Sequence, residues 1–216
     1  MLIQPTVLRS TVTTWIETPR GGRKRGPSGM ARAWIEIMAR PQRFFANGVA
    51  PGDQAPGLSF AIAVALIYVG GLMAVQPERV FGVDRIPILG DSVGVTSVFI
   101  LLLTAVVAAP AALHLVSAIQ TVILMLLVDD RAGVSETVQI VGYATAPCVV
   151  AWIPIPGLAA LCGLYATGLL IVGLVVVHKT TLFRATVAGV LPAVLVFGLA
   201  FGGLWDGLAA VESVAG

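Results

Sequence analysis

Five long apolar runs, separated by short polar segments, dominate the pattern of the chain. Crossing about 30 Å of hydrocarbon at about 1.5 Å per residue takes about 20 apolar residues, and each run approaches or exceeds that length. The pattern therefore predicts an all-α, polytopic membrane protein with five transmembrane helices. We expect these helices at residues 58–75, 93–128, 138–153, 157–177 and 183–204.

The second run, residues 93–128, carries no charged side chain and is too long for a simple span. A hairpin would need a polar turn where it meets water, but the sequence around Pro110 is VVAAPAALHL, without Gly, Asn, Asp or Ser. We therefore predict one helix kinked at Pro110. It would be about 54 Å long, so its far end must tilt strongly or project beyond the hydrocarbon.

Lysine and arginine residues predict the orientation in the cytoplasmic membrane. With five spans and the N-terminus inside, the cytoplasmic side receives the eight basic residues of the N-terminal segment and the three of the inner loops. The outer side receives Arg79 and Arg85. Six spans would move Arg131, Lys179 and Arg184 outside, so the positive-inside rule favours five, with a cytoplasmic N-terminus and an outer C-terminus.

The segment before the first run, residues 30–47, has the pattern of an amphipathic helix with an acidic and basic side opposite an apolar side. Such a helix suits the headgroup layer, and packing under the helix bundle is the alternative. Pro41 is expected to bend or end it. The charged side holds Arg32, Glu36, Arg40 and Arg43, and the apolar side holds Met30, Trp34, Ile37, Met38, Phe44 and Phe45.

Residues 1–29 have no apolar core and many Gly, Pro and basic residues, which predicts a disordered cytoplasmic tail rather than a signal peptide. The membrane domain is expected over residues 48–206, followed by a short outer tail at 207–216. The chain is 57% hydrophobic and 11% charged, with mean hydropathy +0.96, whereas soluble domains are roughly 45–50% apolar and about 25% charged. The lipid bilayer is therefore its predicted solvent and first partner.

Charge, cysteine and histidine content also argue against several kinds of function. The net charge is only +2 and no basic face with interleaved aromatic residues appears, so nucleic-acid binding is not predicted. Cys148 and Cys162 lie in apolar runs and are interpreted as small buried hydrophobic residues. His114 and His178 lie far apart, so we predict neither a metal site nor a cofactor. Oligomeric state stays open, with a homo-oligomer among the alternatives.

Two polar stripes stand out inside the predicted membrane helices. The first lies on the long second helix and the second begins the third helix after the loop DDRAGVS, so both are expected near the cytoplasmic end. They predict a shared cluster that is either interhelical hydrogen bonding or a path or pocket for a proton, cation or small solute. Its members are His114, Ser117, Gln120, Thr121, Gln139 and Tyr143. No catalytic motif is present, so the prediction is that the chain is not an enzyme.

Prolines and tryptophans add two expectations. Pro147 removes a hydrogen-bond donor and is expected to kink the third helix near Tyr143, as Pro110 kinks the second. Indole and guanidinium groups favour the membrane surface. The residues expected at the membrane–water interfaces are Trp34, Arg40, Arg43, Trp152 and Trp205.

Three stretches of this sequence resemble the Yip/Yif family of small integral membrane proteins, first recognised as Ypt/Rab-interacting proteins. They are RPQRFF before the first span, HLVSAIQTVILMLL leading into AGVSETVQIVGYATAP, and VVVHKTTLFRA between the last two spans. The most specific part is the small-residue loop followed by Tyr143 and, four residues later, Pro147. The resemblance covers about residues 38–204 and is to the prokaryotic, archaeal-like branch, which has a short tail and compact loops.

The resemblance implies the family's fold, residence in the membrane and a role in membrane organisation or trafficking. Eukaryotic members associate with prenylated Rab GTPases, so other membrane proteins or a small GTPase are the implied partners, although this chain lacks the long acidic and aromatic N-terminal region. It implies no catalytic residue. The predicted function is therefore a non-enzymatic scaffold or interaction protein, and the alternative is a transporter or channel component that uses the polar stripes.

Overall fold

The computed structural model describes residues 26–82, 89 and 92–215, so the predicted tail as far as residue 25, and Arg85, lie outside the described residues. Regular structure in this part of the chain is entirely helical, which confirms the predicted all-α class. The helices are α1 (Gly26–Ala39), α2 (Pro41–Gly48), α3 (Ala55–Val75), α4 (Pro77–Phe81), α5 (Val93–Leu127), α6 (Val134–Ala144), α7 (Leu158–Val177), α8 (Leu182–Ala200) and α9 (Gly203–Ala215).

Four of these helices, α3, α5, α7 and α8, are long and apolar enough to cross a membrane. They correspond to four of the five predicted spans. The remaining predicted span, residues 138–153, is not one continuous α-helix. Its α-helical part, α6, ends at Ala144, and the chain continues as a 3-10 helix over Ala146–Val150. Pro147 accounts for the change because its ring nitrogen has no hydrogen to donate to the carbonyl four residues earlier.

The long second run forms a single helix, as predicted. Helix α5 continues from Val93 to Leu127 without a turn. It accommodates Pro110 through a π-helical segment, Thr104–Ala108, that ends two residues before the proline. A π segment shifts the hydrogen-bond register by one residue, and such shifts and prolines are the usual causes of bends in long helices.

Helix α6 and the following 3-10 helix, residues 134–150, lie at the centre of the bundle, and we call them the central segment. Residues 137–148 are all buried, and α6 contacts α3, α5 and α7. The approach to α3 is close because glycine lies on both sides: a Cβ atom on Gly57 would lie 2.5 Å from the Cα of Gln139, and one on Gly142 would collide with the carbonyl oxygen of Gly57. The two backbones therefore touch, a contact that only residues without side chains permit.

The N-terminal amphipathic pattern forms two helices. Helix α1 ends at Ala39, and Pro41 occupies the first turn of α2, where a missing N–H leaves no partner unsatisfied. The apolar sides of both helices pack on the bundle, with Ile37 and Phe45 almost completely buried. The charged side is solvent- or lipid-facing, since Arg40 and Arg43 are exposed.

Helix α9 follows α8 after Gly202, whose positive φ of 75° reverses the chain. It lies across the N-terminus of α7, where Asp206 Oδ2 accepts hydrogen bonds from the backbone nitrogens of Ala159 at 2.9 Å and Ala160 at 3.3 Å. Residues 207–215, expected as a short tail, belong to this helix. Asp206 thus caps α7 from a different helix and ties the chain's end to the bundle.

Candidate functional site

The four residues of the first polar stripe do not share one environment in the structure. Ser117, Gln120 and Thr121 lie on the buried face of α5, whereas His114 is exposed. The ring Nδ1 of His114 lies 2.7 Å from the carbonyl oxygen of Pro110 on its own helix. His114 is therefore separate from the other three residues and faces away from the bundle.

Gln120 makes the most informative contact of this stripe. Its Nε2 donates to the carbonyl oxygen of Ala188 in α8 at 2.9 Å. Ala188 is four residues before Pro192, and a proline inside a helix leaves the carbonyl at that position without its backbone donor. The glutamine on α5 thus replaces the hydrogen bond that the proline removes from α8, and the same contact joins two helices.

The second stripe binds a different part of the chain. Gln139 forms two hydrogen bonds with the backbone of Ala50, which lies between α2 and α3: its Oε1 accepts from the Ala50 nitrogen at 3.0 Å, and its Nε2 donates to the Ala50 oxygen at 2.7 Å. The side-chain amide therefore satisfies both backbone polar groups of one residue. This pair fixes the connection that leads into α3.

Tyr143 occupies an aromatic cluster on the same helix. It is completely buried, and its ring stands edge-on to Phe44 of α2 at a centroid distance of 4.8 Å and to Phe60 of α3 at 5.5 Å. Such edge-to-face pairs are favourable because the positive ring edge meets the negative ring face. Phe44 belongs to the RPQRFF stretch, so this stretch anchors α2 to the bundle.

The two stripes do not form one hydrogen-bonded cluster in the part of the chain that the structure describes. Gln120 bonds to α8 and Gln139 bonds to the connection before α3, while Thr121 Oγ1 donates to Ser117 O within α5 at 2.7 Å. The buried oxygens Ser117 Oγ and Gln120 Oε1 have no hydrogen-bond partner among the described residues. Gln120 and Gln139 thus form their hydrogen bonds with backbone groups of neighbouring segments.

His178 is a buried polar residue that the predicted cluster did not include. His178, just after α7, is 1% exposed, and its Nε2 lies 3.4 Å from Thr137 Oγ1 of α6. Burial, and to a smaller extent the charge of Arg131, lowers the pKa of His178 to about 4, so the imidazole is neutral. The position of His178 in the sequence could have indicated this contact. Because α6 and α7 are consecutive antiparallel helices, the end of α7 and the start of α6 lie at the same end of the bundle.

The predicted kink and surface residues fall in distinct settings. Pro147 lies in the 3-10 segment, and Trp34 Nε1 donates to Ala146 O beside it at 2.8 Å. Trp152 is half-buried, and its Nε1 donates to Val149 O at 2.9 Å. Trp205, on α9, is 60% exposed. Of these three tryptophans, Trp205 is the most exposed.

The comparisons with known proteins bear on all these segments together. The family model of the Yip1 domain matches residues 35–204, well over half of the chain. No curated protein and no solved structure gave a match. The matched residues contain RPQRFF, the loop and helix with Gln139 and Tyr143, and the HKTTLFRA connection that holds His178. On this match, the chain belongs to the Yip1 domain family.

Proposed function

We propose that the chain is a non-enzymatic scaffold or interaction protein of the cytoplasmic membrane, which acts through lateral contacts of its helices in membrane organisation or trafficking. The observation that carries this proposal is the use of buried polar groups: Gln120 and Gln139 both bond to backbone of other segments. A solute path would need such groups to line an aqueous cavity. Here they hold the bundle together instead.

Five crossings, with the N-terminus in the cytoplasm and the C-terminus outside, are part of this proposal. The α-helix Val134–Ala144 and the 3-10 helix Ala146–Val150 together rise roughly 27 Å, at about 1.5 and 2.0 Å per residue. That length is close to the hydrocarbon thickness of about 30 Å. Since residues 137–148 are buried, the central crossing would be surrounded by protein and need no continuous α-helix to satisfy lipid.

The inner surface would carry the contact with anionic lipid. Arg40 and Arg43 are exposed near α2, and α2 is tied to the inner end of the bundle through Phe45, which packs beside Gly173 of α7. Each Lys or Arg near an anionic surface contributes roughly 1 kcal/mol. Helix α1 differs, because its Trp34 bonds to Ala146 in the 3-10 part of the central segment, which favours packing against the bundle over the headgroup layer.

Partners would be other membrane proteins, with a small GTPase as the class that the family name suggests. The test is crosslinking in native membranes followed by mass spectrometry of the captured proteins. We expect a discrete set of partners that persists when His114 is replaced by Ala, because that side chain is outside the interhelical contacts. Capture of only abundant, unrelated membrane proteins contradicts a scaffold role.

Transport is the competing function, and the unpartnered Ser117 Oγ and Gln120 Oε1 are the observation that favours it. Purified protein in sealed vesicles separates the two ideas. A scaffold leaves ion and small-solute flux at the level of protein-free vesicles. A flux above that level that disappears in Gln120→Leu and persists in His114→Ala replaces the scaffold proposal with a transport path.

A further inference from the structure

A cavity of about 260 Å³ lies between α3, α5 and α8. Its floor consists of buried side chains that include Tyr68, Val116 and Phe201. Its rim is formed by exposed alanines, Ala108 and Ala112 on α5 and Ala200 on α8. We call it the α5–α8 cavity. Because the rim residues are small and belong to helices that can span a membrane, the cavity opens sideways toward lipid.

The cavity arises where α5 and α8 part from each other. The two helices pack mainly through their inner halves, Ala109–Leu127 and Leu182–Ala193, where Gln120 bonds to Ala188. Beyond this contact each helix changes to π geometry, over Thr104–Ala108 in α5 and over Val194–Ala200 in α8.

Both π segments contribute to the wall of the same cavity, the first through Thr104 and Ala108 and the second through Leu195, Val196 and Ala200. A π segment is rare in proteins and frequently occurs at a functional site. Two of them on different helices, both facing one cavity, are an observation separate from the cavity itself.

The lining suits an apolar occupant. Hydroxyl groups of Tyr68, Thr104 and Thr145 are the polar side-chain groups among the described residues that line the cavity, and no charged residue is among them. Thr104 Oγ1 donates to Ile100 O at 2.8 Å, and Thr145 Oγ1 donates to Gly142 O at 2.7 Å, so both hydroxyls already serve their own chain. A polar solute that entered the cavity would lose hydrogen bonds to water and would find few polar groups to replace them.

Size and position identify the class of ligand. An apolar protein cavity of about 150 Å³ holds one benzene molecule, so a cavity of about 260 Å³ holds a longer apolar group. An empty cavity would also forfeit the dispersion contacts of its walls. The apolar groups present at high concentration beside a membrane-spanning helix are the acyl chains of the bilayer.

We propose that the α5–α8 cavity binds one acyl chain of a membrane phospholipid. The chain enters between Ala112 and Ala200, lies along the two π segments, and packs on the floor formed by Val116, Val196 and Phe201. This makes a bound lipid a third element of the α5–α8 contact, beside the hydrogen bond between Gln120 and Ala188. It does not depend on the scaffold role.

The test uses the full chain in phosphatidylcholine vesicles that contain a phosphatidylcholine with a diazirine on one acyl chain. After irradiation, mass spectrometry locates the adducts along the sequence. Bulk lipid reaches exposed residues such as Val122 and Leu126. Only a lipid inside the cavity reaches Val196 and Phe201, which are both 8% exposed. We expect adducts on these floor residues, at no more than one per protein, in addition to adducts on Leu126.

A pair of substitutions on α5 sharpens the test. Ala112→Phe fills the rim, whereas Ala111→Phe adds the same ring at a neighbouring exposed residue that does not line the cavity. We expect Ala112→Phe to abolish the floor adducts and Ala111→Phe to retain them, with equal elution and melting temperature for both proteins. Ala108→Leu, also at the rim, replaces Ala112→Phe if that variant does not fold.

Two results overturn the proposal. One is the absence of adducts on Val196 and Phe201 in the unsubstituted protein while Leu126 is labelled. The other is floor labelling that persists in both rim variants, Ala112→Phe and Ala108→Leu, since a chain that reaches the floor by another route does not occupy this cavity.

Discussion

The central segment and the N-terminal half of α5 are both apolar, yet their surroundings are opposite. Residues 137–148 of the central segment are all buried, whereas over residues 93–108 of α5 the only buried residue is Thr96. Both stretches contain polar side chains and glycine. Hydropathy alone thus indicates that a segment lies in the membrane, but it does not tell whether the segment faces protein or lipid.

What separates the two regions is where their small and polar residues make contacts. In the central segment, Gly142 touches the backbone of α3 and Gln139 bonds to the connection before it. In the N-terminal half of α5, Ser97 Oγ donates to the carbonyl of Val93 in the same helix. Lipid is as apolar as leucine, so close backbone contacts and interhelical hydrogen bonds decide which segment becomes central.

The largest effect that tests this comparison is expected from glycine. Gly142→Ala places a Cβ against the Gly57 carbonyl oxygen, which forces α3 and α6 apart. We expect a loss of more than about 3 kcal/mol in the free energy of unfolding, measured by denaturation in mixed micelles. Gly94→Ala, in the N-terminal half of α5, meets only the Ser92 side chain at 3.8 Å and is expected to change stability by less than about 0.5 kcal/mol. Equal effects of the two substitutions would remove the distinction between the regions.

The second prediction concerns pH at the N-terminal end of the central segment. The folded protein lowers the pKa of His178 from 6.5 to about 4, so between these values the unfolded chain binds a proton that the folded chain does not. Stability is therefore complete above about pH 6.5 and falls as pH decreases toward 4, by roughly 1.4 kcal/mol per pH unit and about 3 kcal/mol in all.

Unfolding free energies measured between pH 4 and 7 check this prediction. His178→Gln should flatten the pH dependence because glutamine does not titrate. A slope that survives in His178→Gln assigns the pH dependence to another group.

The third prediction compares hydrogen bonds. Gln139→Ala leaves the backbone N–H and C=O of Ala50 without their side-chain partner, and we expect it to cost about 2 kcal/mol and to accelerate amide hydrogen exchange at Ala50. Ser97→Ala removes a bond within one helix of the exposed region and should be nearly neutral. Unchanged exchange at Ala50 in Gln139→Ala would show that the pair does not hold the connection.

The sequence was sufficient to predict the helical membrane class, four spanning helices and the family. Runs of about 20 apolar residues have few structural solutions in lipid, and this explains the success. The third predicted span differed because hydropathy does not register hydrogen-bond geometry: Val138 to Val150 is apolar enough, but the backbone changes to a 3-10 helix after Thr145.

The candidate site was less predictable. The sequence pattern grouped His114 with Ser117 and Thr121 in one polar stripe. Such a stripe does not tell which of its residues face neighbouring helices. In the structure the buried face of α5 is centred nearer Gln120, and His114 falls outside it. The hydrogen-bond acceptor of Gln120 is the Ala188 carbonyl, which lacks a backbone donor because of Pro192 in α8. Pro192 lies more than sixty residues later in the chain, so the local pattern of α5 does not indicate this contact.

The smallest predicted effect tests that remote relation. Gln120→Leu should destabilise the protein by about 1 kcal/mol, the typical range for an interhelical hydrogen bond in a membrane, because the Ala188 carbonyl loses its donor. Pro192→Ala restores a backbone N–H that can bond to Ala188 within α8, so in that background Gln120→Leu should have almost no effect. A double-mutant cycle of unfolding free energies measures this difference directly. If the two substitutions are additive, Gln120 does not compensate for the proline.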